Sequence, residues 1–312
     1  MPQQTPGQTR VIDPILSEHA RGYKSPENVG RSLFPIAPVP MYGGNVIEFG
    51  KEAFRLYNSR RAPGGATKRI DLGYQGKPYS IVPSALEAKV PRELMRDASQ
   101  VPGIDLASRS VNTVMRSLML EHEYNCAQLA TTPGNYDSDH KVALTGTDRW
   151  TDASSDPSKD IETGREAVRS GIGVYPNTCI LSAKAASALR FNSSIIDRIK
   201  RTGINSVTVD VLKALWEIPN IYIGSAMVAT GQNDDFGDVW GADVVLAYTN
   251  VATTPNAEEP SYGYTYAIDG MPMVETPYWD ANAKSWIYGV SFDNSPVLSG
   301  ITAGYLIEDA GL

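Results

Sequence analysis

LFPIAPVP, residues 33–40, is apolar enough to seek burial. Yet Pro35, Pro38 and Pro40 remove backbone donors and fix φ, which excludes a helix and a central strand. Each residue before a proline is also held extended. What remains is an extended ribbon with apolar side chains that has to lie along an edge. The rest of the chain bears on whose edge that is.

Upstream of the ribbon, residues 1–45 are rich in Pro, Gly, Gln and Ser, with one short helical turn at PILSEHARGY. Such a composition usually belongs to a solvated tail. Ile12, Ile15, Leu16, Val29, Leu33, Phe34, Ile36 and Val39 are too many apolar groups for that, so the segment packs on a surface. Downstream, NVIEFGKEAF and TKRIDLGYQGKPYSIV flank the turn-rich RRAPGG and read as a projecting hairpin. A lone hairpin is marginal in water, so it too needs a partner surface. If ribbon and hairpin both find that surface on other copies, the body is expected to fold without residues 1–45.

Residues 105–130 form the clearest helix. Val111, Val114, Met115, Leu118, His122 and Leu129 make one stripe, with Arg109, Arg116 and Glu123 opposite. Asp156-Pro157 supplies an N-cap and a first-turn proline for a helix running to Gly171. A strand at TCILS, a helix capped by Ser182, two further short helices and strands at NIYIGSAMVA, VWGADVVLAYT and YGYTYAI make a mixed α/β lobe. The C-terminal stretch returns to hairpin signals at MPMVETPYWD and SWIYGVSF, with GITAGYLIEDA as a last strand.

The 312 residues are 42% hydrophobic and 20% charged, an ordinary globular composition. No apolar run approaches the roughly 18–20 residues that span a bilayer. The opening MPQQTPGQTR has no apolar core, so it does not read as a secretory signal. Cys126 and Cys179 are too few for a disulfide scaffold, which fits folding in a reducing cytoplasm. Charge is divided unevenly: residues 1–96 carry 14 Lys+Arg against 8 Asp+Glu, and residues 97–312 carry 14 against 27. A basic first third on an acidic body suits either nucleic acid or a neighbouring copy. The basic residues are spread, with one denser patch at Arg60, Arg61, Lys68 and Arg69, which favours the neighbouring copy.

Signals for chemistry are weak. His122 and Cys126 have the i, i+4 spacing of metal ligands, but no further ligand motif accompanies them, and they read as a packed pair. DSDH at 137–140 and DDFGD at 234–238 are acidic clusters without calcium-loop spacing. GGATK and SGIGV lack the phosphate-loop and dinucleotide patterns. The three histidines and the absence of G-x-S-x-G offer no nucleophile–base pair. No cofactor and no metal are expected, and a structural role gains weight.

Arm, projecting hairpin, long helix, α/β lobe and returning strands follow in that order. In this order RSLFPIAPV, FGKEAFR with RAPGGAT and RIDLGY, and CILSAKAASALRFNSSIIDRIK resemble the major capsid protein of tailed bacteriophages, which has the α+β HK97-type fold. The resemblance implies an N-terminal arm at 1–45, an E-loop at 46–90, a P-domain at 91–159 with spine helix 105–130, an A-domain at 160–262, and strands at 263–312 returning to the P-domain. It implies a non-enzymatic shell subunit that forms hexamers and pentamers of an icosahedral head around double-stranded DNA. A separate scaffolding protein, a portal protein and a decoration protein are the implied partners; assembly would occur in the host cytoplasm and end in the virion. Leu33, Phe34, Ile36, Val39, Arg60, Arg61, Lys68 and Arg69 are the expected inter-subunit contacts. Covalent cross-linking through Lys68 or Lys77 is not expected. The alternatives are a non-viral compartment shell of the same fold and a metal- or carboxylate-dependent hydrolase using the acidic loops.

Overall fold

The computed structural model describes residues 12–21, 25, 27–48, 60, 75–98, 105–200, 206–230, 235–250 and 261–312. Its organising element is the helix Leu106–Thr131. Asp105 caps it, accepting from the Ala107 N–H at 3.0 Å. Thr132 is extended and Pro133 follows, which ends the helix. At 1.5 Å per residue its 26 residues span about 39 Å.

The helix serves two cores with its two halves. Val111, Val114, Met115, Leu118 and Met119 pack with Ala20, Val274, Val290 and Phe292. Cys126, Ala127 and Ala130 join the larger core that fills the α/β lobe. On the first side lies an antiparallel sheet built around Ser285–Ser291. That strand pairs along its whole length with Ala85–Pro91 and, on its other edge, with Met273–Val274 and Tyr278–Asp280.

The lobe holds a five-stranded mixed sheet in the order Lys141–Ala143, Gly304–Glu308, Val244–Ala247, Thr178–Ser182, Asn220–Gly224. The two strands Thr178–Ser182 and Val244–Ala247 are buried at every residue, as central strands covered on both faces are. Helices Pro157–Ile172, Ala183–Phe191, Ser193–Lys200 and Val209–Trp216 surround the sheet. Ser182 caps the second of them, accepting from the Ala185 N–H at 3.2 Å. Asp156 occupies the expected start of the first, but its carboxylate does not cap: it accepts from Arg198 at 3.0 Å, and Lys159 donates to its backbone carbonyl instead. Gly173, at φ 75°, closes that helix in the left-handed conformation that glycine tolerates best.

The ribbon lies on an edge of its own chain. After a short helical turn at Gly30–Leu33, Ile36–Val39 runs parallel to Gly263–Ile268, which pairs in turn with Asn294–Leu298. Thr265 N–H donates to the Pro35 carbonyl and Asp269 N–H to that of Val39. Odd-numbered residues therefore face the neighbouring strand with their backbones, and Pro38 and Pro40 face away, where a missing donor breaks no ladder bond. Side chains alternate: Ile36 and Pro38 are exposed, Ala37 and Val39 buried.

This corrects the expectation that the ribbon finds its cover on another copy. Leu33 and Phe34 are fully buried in the large core, and Val39 packs with Ala37, Ile81 and Tyr266. Their own chain covers these three, so of the ribbon's expected contact residues only Ile36 stays exposed, at 41%. The expectation that the body folds without residues 1–45 falls with it. Two ribbons pair with no third strand among the described residues: Gly43–Glu48 with Gln75–Ser80, and Met227–Thr230 with Asp235–Asp238.

Candidate assembly surfaces

Where arm, long helix and lobe meet, the chain buries a carboxylate. Glu123 is fully buried. It accepts three hydrogen bonds: from the Val29 N–H at 2.9 Å, the Gly30 N–H at 2.7 Å and the Trp240 indole N–H at 2.7 Å. Glu123 was expected on the exposed face of the helix; the structure places it inward, because those donors need an acceptor where water does not reach. Burial holds its pKa above the usual carboxylate range, while the three donors and the Arg31 guanidinium work in the opposite direction. Gly30 is required there, since a Cβ on it would lie 2.8 Å from both Cys126 Cβ and Glu123 Oε2.

One turn away, His122 Nε2 lies 2.9 Å from Thr265 Oγ1, and Thr265 Oγ1 donates to the Phe34 carbonyl at 3.0 Å. With its proton committed to Phe34, the threonine accepts from His122, which fixes the Nε2–H tautomer. Cys126 Sγ sits 3.6 Å from that ring and is itself fully buried. The His122–Cys126 pair is thus a packed element of the arm's anchorage. Among the described residues, no group of three or more His, Cys, Asp or Glu side chains is placed to hold a metal ion. His140 is buried beneath the helix Pro157–Ile172, against Gly171.

The anchorage makes a pH prediction. Burial pushes the His122 pKa down to about 3, against about 6.5 in the unfolded chain. Between those values the unfolded chain binds a proton that the folded chain refuses, so stability falls as pH falls. Glu123, shifted upward, has the opposite sign: its term declines as pH rises above the ordinary carboxylate range. His122→Gln keeps a donor for Thr265 and removes the titration. Between pH 6 and pH 4 the variant should lose about 2 kcal/mol less unfolding free energy than the parent. Equal losses in urea titrations at the two pH values would overturn this assignment.

The surfaces that remain exposed lie elsewhere. Met41, Tyr42 and Val82 are 64%, 48% and 64% exposed and sit together at the base of the first ribbon, where Ile81 N–H donates to the Tyr42 carbonyl. The sequence reading passed over them, although MY follows the last proline of the ribbon and IVP ends the returning strand. The base is fixed to the body: Tyr79 stacks on Tyr266 at 4.4 Å, Tyr42 Oη donates to Asp293 at 2.7 Å, and Ile81 is buried. Arg60 is exposed; Arg61, Lys68 and Arg69 lie outside the described residues.

Comparison with known proteins agrees with this architecture. The family model for phage major capsid protein E matches residues 135–290. The major capsid protein of Burkholderia phage BcepMu is 37% identical over 304 residues, 96% of each chain. A solved phage-related protein of Bordetella bronchiseptica RB50 is 63% identical, with a TM-score of 0.85 over 98% of this chain and 99% of that one. The solved capsid of cyanophage P-SCSP1u, at 9% identity, shares the fold alone, with a TM-score of 0.56 over 99% of this chain and 92% of that one. The chain has the α+β, HK97-like capsid fold and is a structural, non-enzymatic shell subunit. It belongs to the phage major capsid protein E family.

Proposed function

We propose that this subunit builds an icosahedral phage head from hexamers and pentamers around double-stranded DNA, with the first ribbon reaching onto the neighbouring copy. The observation that carries the reading is that ribbon: two strands with no third among the described residues, flanked by exposed Met41, Tyr42 and Val82. Two-stranded ribbons of this kind are stabilised by a surface to lie on. In this reading the long helix is the spine of the P-domain, residues 46–90 are the E-loop and residues 160–262 the A-domain. Ile36 on the arm's outer row and the basic patch Arg60, Arg61, Lys68 and Arg69 meet the acidic body of the adjacent subunit. A scaffolding protein, a portal and a decoration protein complete the head, and assembly takes place in the host cytoplasm.

The test is to change all four basic residues to Glu. A single exposed pair contributes at most about 1 kcal/mol, so one change is nearly silent. Four changes put like charges at every repeated contact. The expected result is an unchanged melt, no particles at physiological salt, and partial recovery at high salt through screening. Normal particles with reduced nucleic-acid content would instead place the patch on DNA and overturn the ribbon-to-neighbour contact.

A further inference from the structure

The second two-stranded ribbon, Met227–Thr230 with Asp235–Asp238, is separate from the surfaces described so far. Its register sets Met227 opposite Asp238 and Ala229 opposite Phe236. Strand alternation therefore puts Met227, Ala229 and Phe236 on one face. That face is open: Met227 is 49% exposed and Phe236 is 73% exposed. Its base is held to the lobe, where Val239 N–H donates to the Ala226 carbonyl and Lys184 pairs with Asp238 at 3.5 Å. A ribbon fixed at its base with a bare aromatic face is built to lie on something.

The same lobe carries a cleft of about 690 Å³ where the helices Ala183–Phe191, Ser193–Lys200 and Val209–Trp216 converge. Ile196, Val209 and Leu212 line it, with Phe191 at its rim, 81% exposed. Arg190 and Lys200 flank the apolar floor. The two features differ in charge as well as shape. Residues 227–238 include three aspartates and no basic residue, whereas residues 190–200 include three basic residues against one aspartate.

We infer that the apolar face of the ribbon 227–238 docks into the cleft of the next copy, with Asp235 directed to the Arg190 and Lys200 rim. Knob and cleft are different patches of one chain, so the contact is head-to-tail, and repeating it with rotation closes a ring. The inference rests on the proposed capsomers, and adds which faces of the lobe join within one.

The test uses full-length chains. Phe236→Asp places a charge on an already exposed position, so its melting curve should match that of the parent. Its particle yield should fall at least tenfold. In a Phe236→Cys/Phe191→Cys variant, particles treated with a short bis-maleimide should give a ladder of covalent oligomers ending at the ring, and neither single-cysteine variant should. The two native cysteines are fully buried. Full particle yield from Phe236→Asp, or intact particles without a ladder, overturns the docking while leaving the capsomer reading standing. No particles from the unmodified chain under any condition overturns that reading, and this inference with it.

Discussion

Truncating Phe34 to alanine should destabilise the subunit by about 3–5 kcal/mol, the cost of removing a fully buried aromatic ring. The ring fills a site that nothing else occupies. It lies against Tyr262 at 5.5 Å and over the backbone of Gly263, where an added Cβ would come within 2.6 Å of it. The surrounding main chain is held by strand pairing and closes over the cavity only in part. Against a total stability of roughly 5–15 kcal/mol the loss is large. Urea unfolding of the assembly-incompetent subunit measures it, and a midpoint shift worth less than about 1 kcal/mol would show that the arm is not part of the core. Deleting residues 1–45 removes Phe34 together with Leu33, Ala37 and Val39, so the remaining chain is expected to lose its cooperative melt.

The second large effect is expected at Glu123. Glu123→Ala leaves three buried donors without an acceptor: the N–H groups of Val29 and Gly30 and the Trp240 indole. Each unsatisfied group costs about 1–3 kcal/mol, and the sum is expected near 4 kcal/mol. Glu123→Gln retains one carbonyl oxygen but turns an amide N–H toward the same donors, and should fall between parent and alanine. Trp240 fluorescence offers a local readout, because its indole loses its only hydrogen bond among the described residues. A stability change under 1 kcal/mol for the alanine variant would mean that water reaches the junction.

Much of this fold was legible in the sequence because local rules decided it. Three prolines in an apolar octet require an edge strand, and Ile36–Val39 is one. The stripe from Val111 to Leu118 and the stop at Thr132-Pro133 fix the long helix within one residue at each end. Ser182, in β geometry before a run of alanines, marks a helix start. What local rules miss is who covers whom. Apolar side chains demand burial without naming the partner, and Phe34 takes its partner from residues 262–265, far along the chain. Glu123 was assigned to the solvent face for a similar reason. Its donors lie 94, 93 and 117 residues away, beyond any periodicity. A local clue did exist: Met119 and Ala127, four residues to either side, are both buried, so the position falls inside the apolar stripe. The assembly residues are harder still, since exposed Met41, Tyr42 and Phe236 have ordinary sequence contexts and show their character only once strand pairing assigns faces.

The parallel pairing of the arm also dictates a timetable. Thr265, which receives the ribbon, stands 231 residues after Phe34. At about 5–20 residues per second of synthesis, LFPIAPVP leaves the ribosome roughly 10–50 s before its docking strand exists. For that interval the octet is nascent, apolar and unplaced, beside identical octets on neighbouring ribosomes of the same message. Prolines at the outward positions keep it a poor template for strand pairing with those neighbours. The first apolar segment to emerge is thus among the last to be seated.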